Sequence, residues 1–206
     1  MTWVPRPIHD FDAVYASETP PAWDIGRPQP AFDRLAKAGR LVGSVLDAGC
    51  GTGEHALLAA SLGHETVGVD VSVKAIDLAK AKATERDIEA RFLVADALRL
   101  VDLEEPFDTV LDCGLFHSFD NSERGRYAAS LATVVAPGGV ASVLCFSDEG
   151  PDTGPHPVSQ DELRAAFSPG RGWKITGIEP ERVQTRFHDD NGAPAWLATI
   201  RRTEPA

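Results

Sequence analysis

The chain has 206 residues, 43% hydrophobic and 25% charged, with a formal net charge of −11 and a pI near 4.9. That size and balance suit one α/β domain with a sizeable core, and the acidic surface disfavours nucleic acid, which needs a basic face to displace counterions. With no apolar run long enough to span a bilayer, and neither the charged n-region nor the apolar core of a signal peptide, the expectation is a cytoplasmic protein with no membrane partner.

The three cysteines, Cys50, Cys113 and Cys145, are odd in number and widely spaced. They suit reduced thiols better than a disulfide frame or a metal site. Residues 1–31 form an irregular arm in which Pro5, Pro7, Pro20, Pro21, Pro28 and Pro30 punctuate Trp3, Phe11, Tyr15 and Trp23. Within it a short helix is expected from Asp10 to Ser17, with Phe11, Val14 and Tyr15 on one face. Two readings stand for Trp23-Asp24-Ile25-Gly26-Arg27-Pro28-Gln29-Pro30: a strap packed on the domain surface, or a lid over a ligand.

From residue 32 to 206 the pattern is that of a single core. A helix over Phe32 to Gly39 leads into strand Ser44 to Ala48, then helix Glu54 to Leu62, strand Glu65 to Asp70 and a helix from the Ser72 cap to about Arg86. Strand Arg91 to Ala95 follows, then a loop at Asp102 to Pro106, strand Phe107 to Cys113, helix Ser122 to Val135, a Pro137-Gly138-Gly139 turn and strand Val140 to Phe146. Such alternation predicts a doubly wound, mostly parallel sheet with helices on both faces. After a polar loop at 147–157, Ser159 and Glu162 form a Ser-x-x-Glu cap for a helix reaching Phe167. Strands Trp173 to Pro180 and Ala195 to Arg201, separated by the turn-rich 189–192 rather than a helix, should pair antiparallel.

Ligands of such sheets lie outside the carboxyl ends of the strands. Here those ends carry Gly49-Cys50-Gly51-Thr52-Gly53 after the first strand, Asp70 after the second and Asp96-Ala97 after the third. Glycine admits a tight turn and a close ligand, and a carboxylate at Asp70 can accept two ribose hydroxyls. The spacing Gly-x-Gly-x-Gly departs from the dinucleotide pattern, and Glu54 would place a negative charge near a pyrophosphate. An adenosine ligand without phosphates, S-adenosylmethionine (SAM), meets no such objection.

Val45 to Gly53, Asp70, Asp96-Ala97, the Asp108 to Asp112 strand and Pro137-Gly138-Gly139 together resemble the signature set of the class I SAM-dependent methyltransferases. Trp23 to Pro28 resembles the N-terminal segment of thiopurine- and thiol-type enzymes. Combined with Leu115-Phe116-His117-Ser118, it is similar to the mycobacterial heterocyclic toxin methyltransferases, which methylate hydroxyquinolones. The resemblance implies a Rossmann-like, seven-stranded sheet with an antiparallel last strand, and S-adenosylhomocysteine as product. It also implies that Gly49 and Gly51 meet the methionine portion, Asp70 and Val71 the ribose and adenine, and Asp96 and Ala97 the adenine ring, with Cys113 beside the cofactor and Trp23 over it.

Methyl transfer leaves one proton to manage on the acceptor. His117, between Phe116 and Phe119, is the expected base at an ordinary pKa near 6.5, or else an orienter of the substrate. His156, flanked by Pro155 and Pro157, is the second candidate, whereas His55 and His64 suit packing or surface roles and His9 and His188 have little context. Phe11, Tyr15, Phe116 and Phe119 are expected to line a pocket for a planar aromatic acceptor. The function expected is methylation of O, N or S on a small aromatic heterocycle. Alternatives are a thiol or inorganic-acceptor S-methyltransferase and a SAM-binding regulator without catalysis. The oligomeric state is left open.

Overall fold

A computed structural model of the chain describes residues 8–103, 105–150, 156–188 and 191–204, with the backbone alone for residues 8–10. The expectations for Trp3 and its flanking prolines, for 151–155 of the polar loop and for Asp189 and Asp190 therefore lie outside the described residues.

The arm holds α1 (Ile8–Tyr15), which starts two residues before the expected Asp10. It is followed by α2 (Pro30–Lys37), with Pro30 in the first turn, where its missing N–H costs nothing. Then β1 (Val45–Ala48), α3 (Glu54–Ser61), β2 (Thr66–Asp70), α4 (Val73–Glu85) and β3 (Arg91–Val94) alternate as expected. Residues Ala97–Asp102 coil into short 3₁₀ turns before β4 (Phe107–Cys113), and a further 3₁₀ turn, Phe116–Ser118, precedes α5 (Asn121–Val134). Next come β5 (Val135–Phe146), α6 (Gln160–Ala166), β6 (Trp173–Val183) and β7 (Ala193–Arg202).

The Pro137-Gly138-Gly139 turn is absorbed into β5. Gly138 at φ +79 makes the chain kink, and the β4–β5 register jumps between Phe107 and Thr109. The ladder resumes at Val140 beyond the kink, so the segment is a bulged interruption within one strand.

The seven strands form one sheet in the order β3-β2-β1-β4-β5-β7-β6. β1 through β5 pair in parallel, and β7 inserts antiparallel between β5 and β6. This is the doubly wound sheet with an antiparallel last strand that the sequence predicts. Strand order reverses between β1 and β4, so the crevice for a ligand opens at their carboxyl ends.

One face of the sheet packs beneath α5 and α6 through Tyr127, Leu131, Leu163 and Phe167, joined by Trp173 and Trp196. Both indoles are buried and satisfied, Trp173 Nε1 donating to the Ala128 carbonyl and Trp196 Nε1 to the Val158 carbonyl, each at 3.0 Å. The other face is covered by α2, α3 and α4 through Phe32, Leu57, Ile76 and Ala79.

Candidate active site

The glycine loop leaves β1 with Gly49, Gly51 and Gly53 all at positive φ, from +52 to +86. Positive φ alone favours glycine, and close neighbours add to the demand. A Cβ on Gly49 would lie 2.9 Å from Leu115 Cβ, and one on Gly53 2.8 Å from the Phe92 ring. The first of these contacts brings the loop after β1 against the loop after β4, the two elements that carry Gly49–Gly53 and His117.

At the end of β2, Asp70 takes the Gly51 N–H on Oδ2 and the Ser72 N–H on Oδ1, both at 2.9 Å. Burial pushes its carboxyl above the ordinary range, while the Ser72, Gly51 and Val71 N–H groups act against that shift. Each oxygen retains a lone pair for a ribose hydroxyl. Val71 follows, half-buried, and Asp96 is exposed, capping the 3₁₀ turns by accepting the Leu98 N–H on Oδ1. Ala97 is buried and Cys113 half-buried. A glycine cradle that a Cβ would fill, beside a carboxylate with spare lone pairs, fits an adenosine sulfonium.

The arm lies on this cradle. Tyr15 is 8% exposed, and its Oη sits 2.8 Å from where a Gly51 Cβ would be, accepting the Trp23 indole N–H at 2.9 Å. Trp23 itself stays 46% exposed. Asp12 accepts the Ser72 hydroxyl and the Lys74 N–H at the start of α4, and Asp24 accepts the Thr52 hydroxyl at 2.8 Å. Gln29 exchanges two 2.8 Å bonds with Gln184 just past β6, giving its amide N–H to the Gln184 carbonyl and taking the Gln184 N–H.

Glu54 does not bear on a ligand as its position in sequence suggests. Its carboxylate turns to α4, where Arg86 holds both oxygens at 2.8 and 2.9 Å and Lys82 reaches Oε1 at 2.7 Å. Burial opposes ionisation, but these two cations hold its pKa below the ordinary value. A locally neutralised carboxylate repels nothing at the loop, so the sequence argument from Glu54 against a pyrophosphate fails.

His117 lies in the 3₁₀ turn after β4, its ring 4.6 Å from that of Phe146. Nδ1 is buried without a hydrogen-bond partner among the described residues. Burial, with Arg124 and His156 nearby, pushes the imidazole down to about 3, far from the ordinary value the sequence reading assumed. His156 sits at φ +56, and burial lowers its pKa, with Arg124 acting in the same direction.

The four expected pocket aromatics do not converge. Phe116 is completely buried, in ring contact with Tyr127 and Phe167, and Phe119 meets Tyr127 in a tilted contact at 5.2 Å. Tyr15 belongs with Trp23 over the glycine loop, and Phe11 is half-buried on α1. Phe116 is drawn inward because the Asp112 carboxylate accepts the Leu115 and Phe116 N–H groups, winding the turn back over the sheet.

Several contributors escape a sequence reading. Arg124, 6% exposed, pairs with Glu162 at 2.6 Å and lies over the Phe116 ring. Gly114 underlies the His117 imidazole: a Cβ there would sit 3.1 Å from its Cε1. Only the Ser159–Glu162 cap was visible, as a motif, and it positions the Arg124 partner.

This sheet, with a glycine loop after β1 and the Asp70 carboxylate at the end of β2, is a Rossmann-like methyltransferase fold. The methyltransferase domain family matches residues 45–139. A 2-heptyl-1-hydroxyquinolin-4(1H)-one methyltransferase of Mycobacteroides abscessus is 40% identical over 183 residues, covering 84% of this chain and 80% of that protein. Probable thiol methyltransferase 2 of Arabidopsis thaliana is 30% identical over 157 residues, covering 75% of this chain and 69% of that protein. A solved structure described by the conversion of a disulfide bond into a thioacetal group during echinomycin biosynthesis superposes with a TM-score of 0.86 at 40% identity, over 97% of this chain and 94% of the other. The chain belongs to the class I SAM-dependent methyltransferases, and its methyl donor is SAM.

Proposed function

We propose that this enzyme methylates O, N or S of a small, planar aromatic heterocycle of the hydroxyquinolone kind, in the cytoplasm and without a nucleic-acid or membrane partner. The observation that carries the reading is the contact of Gly49 with Leu115, which sets the cofactor loop against the His117 turn at the switch point of the sheet. The hydroxyquinolone relative supports the acceptor class. The acidic net charge of −11 supports the exclusion of nucleic acid, and no helix among the described residues is long and apolar enough to cross a membrane.

SAM supplies an electrophilic sulfonium methyl when bound. Gly49 and Gly51 receive its methionine end, Asp70 and Val71 its ribose and adenine edge, Asp96 the adenine amino group and Ala97 the ring, with Cys113 alongside. Trp23 covers it, and Tyr15 joins this set rather than the acceptor pocket, because its hydroxyl rests on the glycine loop. The described part of the arm, residues 8–31, thus serves as a cover on the core that begins at 32. His117, His156 and Phe119 face the acceptor side, where Phe116 contributes support from below. Alignment of acceptor and methyl can lower the barrier by about 7–11 kcal/mol, and the arm keeps water from the reacting groups.

The test is methyl transfer from labelled SAM to a panel of hydroxyquinolones, phenols and thiols. Product on the aromatic hydroxyl compounds is expected, and transfer to none of the panel refutes the acceptor class. The Arabidopsis relative gives a second reading, S-methylation of thiols, which is preferred if thiols alone are methylated. Tight SAM binding without turnover on any acceptor is the outcome that a non-catalytic SAM-binding protein would give.

A further inference from the structure

We infer that His117 donates a hydrogen bond to an acceptor that arrives already ionised, so that the substrates are acidic N-hydroxy, phenolic or thiol compounds. The inference rests on the small-acceptor reading above and narrows it to a class. A general base must become a cation, and a histidine that does so is normally steadied by an oxygen acceptor at its other nitrogen. Nothing of the kind meets His117 Nδ1, which is enclosed without a partner among the described residues.

The titratable and charged groups around the ring explain why. From β4, Asp112 spends Oδ1 on the Leu115 and Phe116 N–H groups, and burial holds its carboxyl above the ordinary range. From α6, Glu162 is taken by Arg124 through Oε1 and by the Ser159 N–H and hydroxyl through Oε2. Cys113 and Cys145, on β4 and β5, are both held in the thiol form by burial. Among the described residues, what remains nearby is His156 from the loop after β5 and Arg124 from α5, and each disfavours a second positive charge. Against the apolar Phe146 ring an imidazolium would have no counter-ion among the described residues.

A neutral imidazole with its proton on Nε2 suits this place. The half-buried ring then offers an N–H to a phenolate, N-oxide or thiolate and fixes the direction of its lone pair. In the transfer step the acceptor anion forms the bond to the methyl carbon. The carbon–sulfur bond breaks with its electron pair left on sulfur, giving a neutral methylated product and S-adenosylhomocysteine. No proton moves in that step, because the acceptor released its own to solvent on ionising.

The experiment is the pH dependence of kcat/KM for a series of hydroxyquinolones, phenols and thiols with acidities spread over about five pH units. The inflection should move with the pKa of each acceptor. His117→Gln, which keeps an N–H donor but cannot act as a base, should retain the profile and most of the rate. His117→Ala should lose about 10- to 100-fold, the worth of one hydrogen bond to a charged group. Titration with S-adenosylhomocysteine verifies that each variant is folded. An inflection common to all acceptors that vanishes in His117→Gln overturns the inference, as does a Gln variant no better than Ala with cofactor affinity intact. Absence of methylation across the whole series would instead strike the small-acceptor reading itself.

Discussion

At the scale of single residues, the glycine under the histidine is the sharper probe of the site. Gly114 holds φ +84, its N–H donates to the Leu144 carbonyl at 2.9 Å, and a methyl there would press on His117 Cε1 at 3.1 Å. Gly114→Ala therefore combines left-handed strain of about 1–2 kcal/mol with displacement of the imidazole. Turnover is expected to fall at least about tenfold, an angle-sensitive loss, while affinity for S-adenosylhomocysteine stays within about twofold. Steady-state kinetics beside calorimetry checks this. Gly63→Ala is the control, since Gly63 has φ +87 but nothing near its missing side chain, and it should lose stability without losing turnover. The sequence cannot single out Gly114 from the other seventeen glycines, because its requirement arises from a ring three positions on that folds back over it. The place of Asp70 is legible by contrast: it ends β2, which apolar patterning shows directly. Phe116 is the opposite failure, an aromatic beside the candidate histidine that the Asp112 hydrogen bonds turn into the core.

Among the elements, local signals were legible and partners distant in sequence were not. The Ser159–Glu162 capping box is visible as four residues and forms as expected, and the alternation of strands and helices follows from apolar periodicity alone. Pro137-Gly138-Gly139 looks like a turn on local chemistry and lies within β5, in the stretch between Val135 and Val140 that the register with β4 skips. The arm shows the limit most plainly. Its prolines and Trp23 mark an irregular segment near a ligand, yet what holds it is the chain just after β6. Gln29, 2% exposed, bonds both ways with Gln184; Arg27 reaches the Gln184 side chain at 2.7 Å; and Arg186 N–H donates to the Ala22 carbonyl at 2.8 Å. Gln29→Ala removes the two central bonds of this clasp and leaves the Gln184 N–H without its partner, at a cost of about 1–3 kcal/mol. That energy holds the arm down more than it holds the sheet together. Limited proteolysis within residues 16–30 should accelerate and affinity for S-adenosylhomocysteine should weaken, with the melting temperature shifted by only a few degrees. An unchanged proteolysis rate would mean that the contacts of Asp12, Asp24 and Tyr15 suffice to anchor the arm.

For the molecule as a whole, the fold buries ionisable groups of both signs, and their titrations oppose one another. Burial raises Asp47 and Asp112 to about 7 each, and it lowers His55 to about 4 and His117 to about 3. In the unfolded chain the carboxyls titrate near 3.9 and the imidazoles near 6.5. A raised carboxyl contributes stability that is complete below about pH 4 and is lost as pH rises through 7. A lowered imidazole contributes stability that is complete above about pH 6.5 and is lost as pH falls towards 4. Between roughly pH 4.5 and 6.5 each group has a slope of about 1.4 kcal/mol per pH unit, two of one sign and two of the other, and they largely cancel. Glu54 and Glu162, both lowered, titrate beneath this window, and Asp70, raised, and His156, lowered, contribute alike to the wild type and to every variant. Single variants unmask the opposition. Relative to the wild type, the melting temperature of Asp112→Asn should climb from pH 4.5 to 7, since a contribution that falls with pH has been removed. That of His55→Gln should drop over pH 4.5 to 6.5, with Gln keeping an acceptor for the Gln29 N–H that His55 Nε2 now takes at 3.1 Å. Above pH 7 both curves should run parallel to the wild type. Melting curves at half-unit pH steps decide the matter, and variants that track the wild type across the whole range would show that these groups titrate alike in the folded and unfolded chain.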